Sequence, residues 1–495
     1  MVFGLTVLVM LIAPQRSQQA MNALFDLITG KFGGLYLWFG IGTLAFLLLL
    51  ACSPFGAIPM GRRGEGPEHS TLSWIAMLFS TGIGTTVLYW GTVEWMEYYQ
   101  APPFGLEPAS GEAMQWARAY GMFHWGPIGW GFYCLPAVCL AYGYHLRGDT
   151  SLRLSTACRP LLGSFAGKLP GRIIDILFMV GLLGSSATGI GLTTPLITES
   201  FCTFFDVPPS FGLTLGSVIL VVLVVGFSVY SGLEKGIKQL SNVNMWLLLL
   251  LLLTILLFGP SLFILERGAE SLWFMIRHLP EMSGLGYPED NRNFTEAWTV
   301  FYWAWWLAFG PFVGMFICKV SRGRTLRQII LGVLFFGTLG CVLCFVVMGG
   351  YAQYLDVERD GQIMAAFNES PYGVVIQVVV ALPLGKAILP LFFLLCTSFA
   401  ATTYDSASYT LASATTLQLD SGEDPPRWLR VFWAAALGIL PLVILSLGYL
   451  KQSLGAGVLK TLQTASVVVS LPMLLISLAM AGSLLISLRR HSKKT

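Results

Sequence analysis

The stretch WTVFYWAWWLAFGPFVGMF, Trp298 to Phe316, decides how this chain is read. Trp303, Trp305 and Trp306 crowd into four positions of an apolar run, and Gly310, Pro311 and Gly314 follow them. On a helix Tyr302, Trp305, Trp306 and Phe309 fall at i, i+3, i+4 and i+7, so they share one aromatic stripe. Glycine and proline are poor helix formers, and the GPFVG sequence below the stripe predicts a break in the helix.

The rest of the chain sets this run in a membrane. Of 495 residues 55% are hydrophobic and 11% charged, against about a quarter charged in an average soluble domain. Apolar segments of about 20 residues, enough to cross ~30 Å of hydrocarbon, recur from end to end. Twelve are expected, centred near residues 8, 43, 85, 130, 188, 220, 250, 307, 338, 400, 438 and 473. No stretch is left for a soluble domain or a nucleic-acid-binding surface. The first segment, MVFGLTVLVMLIAP, is short for a span, as expected of a tilted helix or of a chain whose start lies upstream.

Nineteen of the 29 lysines and arginines fall in the loops after even-numbered segments or in the C-terminal tail. By the positive-inside rule both termini are then expected on the cytoplasmic side. The nine cysteines lie almost wholly in apolar segments. Cys341 and Cys344 form a CxxC, but two further zinc ligands are missing and packing is the expected role. His124, within FHWGP, is expected as a hydrogen-bonded helix contact.

Three other segments carry unusual residues. Segment three, from about Thr71 to Tyr98, contains STGIGTTVLYWG, in which Gly82, Gly84, Thr85 and Thr86 make weak helix. Segment four contains FHWGPIGWGFY, where Pro127 and Gly129 loosen the turn that holds Trp125, Trp130 and Tyr133. Segment ten is dense in hydroxyls around Thr402, Thr403 and Asp405; a carboxylate at that depth is a functional hypothesis. After segment three, EWMEYYQAPPFGLEP reads as an outside loop with Glu94 and Glu97 near the membrane edge. Residues 268 to 282 read as an amphipathic helix on the outer surface, and residues 354 to 373 as a polar outside connection.

Segments three and eight, five spans apart, are the two strongly broken ones. Breaks at matching positions of two halves point to a transporter's binding site. A half of five spans, an odd number, requires the second half to be inverted. The expected divisions are two N-terminal helices outside the repeat (1–70), a first repeat (71–264), a surface helix and loop (265–292), a second repeat (293–488) and a short tail (489–495).

The aromatic clusters of segments four and eight suit a quaternary ammonium head, a weakly hydrated cation that aromatic faces hold with ~2 kcal/mol or more in a dry site. Trp125, Trp130, Tyr133, Trp305 and Trp306 could form such a box, and backbone N–H groups from Gly82 to Thr86 could receive a carboxylate. An ion channel is disfavoured because bulky rings would block conduction. An intramembrane enzyme is disfavoured because no His/Glu metal cluster or Ser/His pair is visible.

FYWAWW with PFVGMF and SRGR in segment eight, HWGPxxWxxY in segment four, PPFGLEP and the GxG of segment three resemble the betaine/choline/carnitine transporter family from about residue 34 to the C-terminus. The resemblance implies an all-α membrane protein of twelve transmembrane helices with an inverted five-plus-five repeat, the LeuT-like fold, and a homotrimer in the bacterial inner membrane. It implies no enzyme activity and no cofactor, with sodium as the coupling ion. It places the box on Trp125, Trp130, Tyr133 and Trp306, with Trp305 flanking, Gly82 and Gly84 at the unwound turn, and Phe309 where relatives carry Trp or Tyr. Glu97 stands where the exchanger branch has a gating tyrosine. The loops are most similar to that carnitine/butyrobetaine exchanger branch, whose ion-replacing arginine and methionine correspond here to Asn244 and Val313. Sodium-coupled members use a hydroxyl pair matching Thr402 and Thr403, near Phe399 and the carbonyls around Ser80 and Ile83. Sodium-coupled uptake is therefore favoured over sodium-independent exchange, with proton-coupled, choline-like uptake as a further reading.

Overall fold

The computed structural model describes residues 14–62, 64–82, 84–231, 234–284, 291–416, 425–450 and 457–493. Those residues are helical, apart from loops and one isolated antiparallel bridge between Pro59 and Thr325. Eight of their helices are long and apolar enough to cross a membrane. The first expected segment, centred near residue 8, lies outside the described residues. Helix α1 (Pro14–Cys52) contains the second.

The third segment is two helices, α2 (Thr71–Gly82) and α3 (Thr86–Gln100), separated at the predicted GxG turn. Gly84 has φ +56°, a left-handed conformation that side chains with a Cβ resist. The fourth is also divided, into α4 (Gly111–His124) and α5 (Pro127–Tyr142). Ser110 caps α4 by accepting from the Ala113 N–H, and Pro127 opens α5 in the first turn, where its missing N–H costs nothing. Then come α6 (Leu169–Phe205), α7 (Phe211–Ser231) and α8 (Glu234–Phe258). The surface helix α9 (Ser261–Arg277) begins seven residues before its expected start and buries Ile264, Gly268 and Ser271, while Leu262, Leu265, Trp273 and Ile276 face outward.

Segment eight departs from expectation. A six-residue π turn, Thr295–Val300, precedes α10 (Phe301–Val320), which runs unbroken through Gly310, Pro311 and Gly314. The glycines are notches. A Cβ on Gly310 would lie 2.7 Å from the Phe132 carbonyl oxygen, and one on Gly314 would lie 2.8 Å from the Pro136 ring. The four-residue spacing lets α10 and α5 approach closely, as small residues do between membrane helices. Helix α10 is buried on nearly every side, as an all-round apolar helix in a large protein must be.

Segment nine is α11 (Leu326–Cys344), a π turn at Phe345–Gly349, and α12 (Gly350–Glu358). The region expected as a polar outside connection is itself helical: α12, α13 (Gln362–Glu369) and α14 (Pro371–Val380). Val374, Val375 and Val378 of α14 are buried, so apolar spacing outweighs the polar residues around it. The long α15 (Gly385–Thr415), α16 (Arg427–Leu450) and α17 (Gly457–Ser492) complete the chain.

On the basic side, the loop after α1 is clasped to the SRGR turn after α10. Met60 N–H donates to the Arg324 carbonyl at 2.8 Å, Gly323 N–H to Met60 at 2.7 Å and Leu326 N–H to Ile58 at 3.0 Å. The Arg324 guanidinium lies 4.2 Å over the Trp74 ring, whose N–H donates to Ser321 Oγ at 3.0 Å. The Arg62 backbone N–H, and then the Arg322 guanidinium 2.7 Å away, hold the Glu65 carboxyl below its usual range.

Candidate functional site

The break between α4 and α5 turns the chain so that Trp125, Trp130 and Tyr133 face α10. Tyr133 and Trp306 have ring centroids 4.5 Å apart, Trp130 and Tyr133 5.7 Å, and Trp130 and Trp306 5.9 Å. Trp125 lies 5.6 Å from Trp306 and 5.5 Å from Trp305, and Phe309 lies 6.3 Å from Tyr133. All six side chains named for the box therefore converge. Their rings touch one another, so a cation enters only if they part.

The cluster is held from behind. His124, last residue of α4, has a carbonyl that accepts the Trp306 indole N–H at 3.1 Å, so a ring of the cluster satisfies one of the helix's unpaired carbonyls. Glycines let the rings approach backbone: a Cβ on Gly129 would stand 2.7 Å from Trp306, one on Gly337 2.2 Å from Trp130, and one on Gly82 3.0 Å from Trp130. Gly82 thus joins the site, whereas Gly84 faces the hydroxyl-rich helix, its Cβ position 3.0 Å from Thr403 Oγ. The polar tips are not all used. Tyr133 Oη and Trp305 Nε1 are buried without a hydrogen-bond partner, and the Trp130 N–H meets only the Cys341 thiol, a weak acceptor. Buried polar groups are ordinarily paired, so these tips mark where a polar ligand or water fits.

The expected place of Glu94 needs correction. It lies in α3, not in an outside loop, and is fully buried. The hydroxyls of Tyr98 and Tyr302 donate to its two oxygens at 2.6 Å each, and the Trp125 N–H donates at 2.9 Å. His124 is the hydrogen-bonded contact expected of it, with Nδ1 2.9 Å from Tyr98 Oη and Nε2 3.0 Å from Thr299 Oγ. In α3 Glu94 stands one helical turn before Tyr98, the partner of its Oε1. Glu97, one turn on, is half-buried and has no hydrogen bond to the box.

The ion-site residues divide into two. Thr403 Oγ donates to the Ser80 carbonyl at 3.2 Å, linking α15 to the last turn of α2. Thr402 Oγ instead donates to Ser398 O at 2.9 Å and accepts from Asn244 Nδ2 at 3.0 Å, while Ser398 Oγ donates to Asn244 Oδ1 at 2.5 Å. Phe399 is buried beside them, and Ile83 lies outside the described residues. Hydroxyl and carbonyl oxygens are the donor set a hard cation prefers; the Thr403 hydroxyl and the Ser80 carbonyl bring two such oxygens together from two helices, while the Thr402 oxygen is shared with Ser398 and Asn244. Asp405 accepts from Ser228 Oγ at 2.5 Å. Cys341 and Cys344 are buried free thiols, and no group of three or more metal-ligating side chains occurs among the described residues.

Helices long and apolar enough to span a bilayer, packed around a buried cluster of tryptophan and tyrosine, define an all-α, multi-pass membrane protein. The model of the betaine/carnitine/choline family transporters (BCCT) matches residues 1–493. The chain belongs to that family, and its described residues are all-helical, as the resemblance implied. An uncharacterized transporter, YeaV, of Escherichia coli (strain K12) is 33% identical over 443 residues, 89% of each chain. A solved structure of a Na+-coupled sialic acid symporter, in a substrate-bound outward-open state, aligns over 86% of this chain and 84% of its own, with 12% identity and a TM-score of 0.47.

Proposed function

We propose that this transporter carries quaternary-ammonium zwitterions of the betaine or carnitine kind by alternating access, in sodium-coupled uptake. The observation that carries the reading is the convergence of Trp125, Trp130, Tyr133 and Trp306 from two helices onto one buried point. Aromatic faces bind a trimethylammonium head that has no N–H to donate, at ~2 kcal/mol or more once desolvated. The N–H groups of the turn at Gly82 to Thr86 would take the carboxylate. Thr403 and the Ser80 carbonyl would hold sodium across α2 and α15, so that the ion steadies the unwound turn while the ligand binds.

The family's transport role supports this reading, as does the oxygen-only character of the Thr403–Ser80 contact. A second reading, substrate exchange without sodium, is favoured by Asn244, whose amide already engages Thr402. In liposomes the first reading requires labelled betaine, carnitine or butyrobetaine to enter under an inward sodium gradient. Uptake driven solely by internal substrate would favour the second, and no uptake under either condition would refute both. The outward apolar face of α9, with Leu262, Leu265, Trp273 and Ile276, suits contact with further copies in a homotrimer. The distribution of basic residues suits cytoplasmic termini in a bacterial inner membrane.

A further inference from the structure

The chain Thr299···His124···Tyr98···Glu94 is a closed run of hydrogen bonds behind the aromatic box, and all four side chains are fully buried. No lysine or arginine pairs with Glu94 among the described residues. Arg118, earlier on α4, is turned instead to Gln353, with Nε 2.6 Å from Oε1. The titratable groups facing the carboxylate are Glu97 and Tyr98 of its own helix, His124 of α4, Tyr302 of α10 and Cys341 of α11. None of them brings a fixed positive charge. A buried carboxylate with no cation beside it is costly to keep ionised, its three hydrogen-bond donors notwithstanding, and a proton or an incoming positive charge relieves that cost.

The geometry accommodates both conditions. With Glu94 ionised, Thr299 O–H donates to His124 Nε2, Nδ1–H donates to Tyr98 Oη, and Tyr98 O–H donates to Glu94 Oε1. Adding a proton shifts each hydrogen by one place: Thr299 takes up the incoming proton as it hands its own to Nε2, Nδ1 hands one to Tyr98, and Tyr98 hands one to Oε1, so that the net change is one proton gained by the carboxyl. Every contact survives with its direction reversed, and Oε2 keeps the Tyr302 and Trp125 donors throughout. Thr299 lies in the π turn that opens α10, the irregular part of that span.

We infer that Glu94 is a reversible proton site whose proton is displaced when a cationic head occupies the aromatic box. The inference rests on the quaternary-ammonium reading of the box. Trp125 ties the two together, since its ring belongs to the box and its N–H is bonded to Glu94. One negative charge then serves proton and ligand in turn, and ligand binding releases a proton to the side of the membrane to which the site is open.

The test is titration calorimetry of the purified full-length transporter with betaine, and separately with choline, in two buffers of different ionisation enthalpy, from about pH 5.5 to about pH 8.5. Wild type is expected to release protons on binding either probe, because the head alone is responsible. On the acid side its apparent Kd should rise about tenfold per pH unit. Glu94→Gln keeps an acceptor for Trp125 and Tyr302 and is expected to bind with no proton release and no pH slope. Tyr98→Phe, which interrupts the relay, should bind but exchange the proton slowly in stopped-flow pH-indicator records. Binding by wild type without proton release overturns the inference while leaving the functional reading intact, and needs no variant to fold. Persistence of the pH slope in Glu94→Gln overturns it too. Failure of wild type to bind any trimethylammonium probe overturns the functional reading, and the inference with it.

Discussion

Trp306 donates its indole N–H to the backbone carbonyl of His124 at 3.1 Å, so the last residue of α4 fixes the ring that closes the box from α10. The same residue's imidazole contacts Tyr98 and Thr299. One helix end thereby joins the box to the buried polar chain behind it.

The two threonines of α15 should behave differently. Thr403→Ala removes the hydroxyl facing the Ser80 carbonyl and is expected to abolish sodium dependence of uptake. Thr402→Ala removes a hydroxyl already shared between Ser398 and Asn244, so sodium dependence should persist while thermal stability falls by about 1 kcal/mol. Uptake against sodium concentration for each variant checks this, and full sodium dependence in Thr403→Ala would refute the assignment.

Gly337 is expected to tolerate no side chain. Its Cβ would stand 2.2 Å from the Trp130 ring, and Trp130 is fully buried among other rings. Overpacking of this kind costs about 1–3 kcal/mol, so Gly337→Ala should lower both Tm and substrate affinity. Gly34→Ala is the control: its Cβ position in α1 has no neighbour within 4 Å, and replacing a helical glycine there should be neutral or stabilising by up to about 1 kcal/mol.

The clasp should depend on backbone more than on charge. Gly323 has φ +79°, and a Cβ there would fall 2.1 Å from the Gly66 carbonyl oxygen, so Gly323→Ala should break the pairing of the two loops. Arg322→Ala removes a partly exposed ion pair with Glu65, a kind that contributes little. Limited proteolysis of the 58–69 loop is expected to accelerate in the first variant and hardly change in the second.

Much of this was legible in the sequence, for reasons that differ by residue. Hydropathy located the long apolar helices, because a bilayer imposes length and polarity on any chain that crosses it. The GxG turn and the Pro127 break followed from backbone chemistry. The same chemistry misread GPFVG: glycines that loosen an isolated helix serve here to bring α10 against α5, and that depends on a partner helix local pattern does not reveal. Glu94 was misplaced for a similar reason. Its acidity near a Pro/Gly-rich loop suggests solvent, while its burial depends on Tyr302 and Trp125, hydrogen-bond partners 208 and 31 residues away. The engagement of Thr402 by Asn244 across 158 residues was equally unreadable from either segment alone.

The central claim, that the box of Trp125, Trp130, Tyr133 and Trp306 binds a quaternary ammonium head, is tested most directly by tryptophan fluorescence titration of the purified protein. Betaine, carnitine, butyrobetaine and choline would be compared in wild type and Trp306→Leu, with folding checked by thermal melting. At least one of these solutes should give a saturable change in wild type, and the variant, still folded, should bind it at least about 30-fold more weakly, the equivalent of ~2 kcal/mol. No saturable response to any of the four, or equal affinity in wild type and variant, would contradict it.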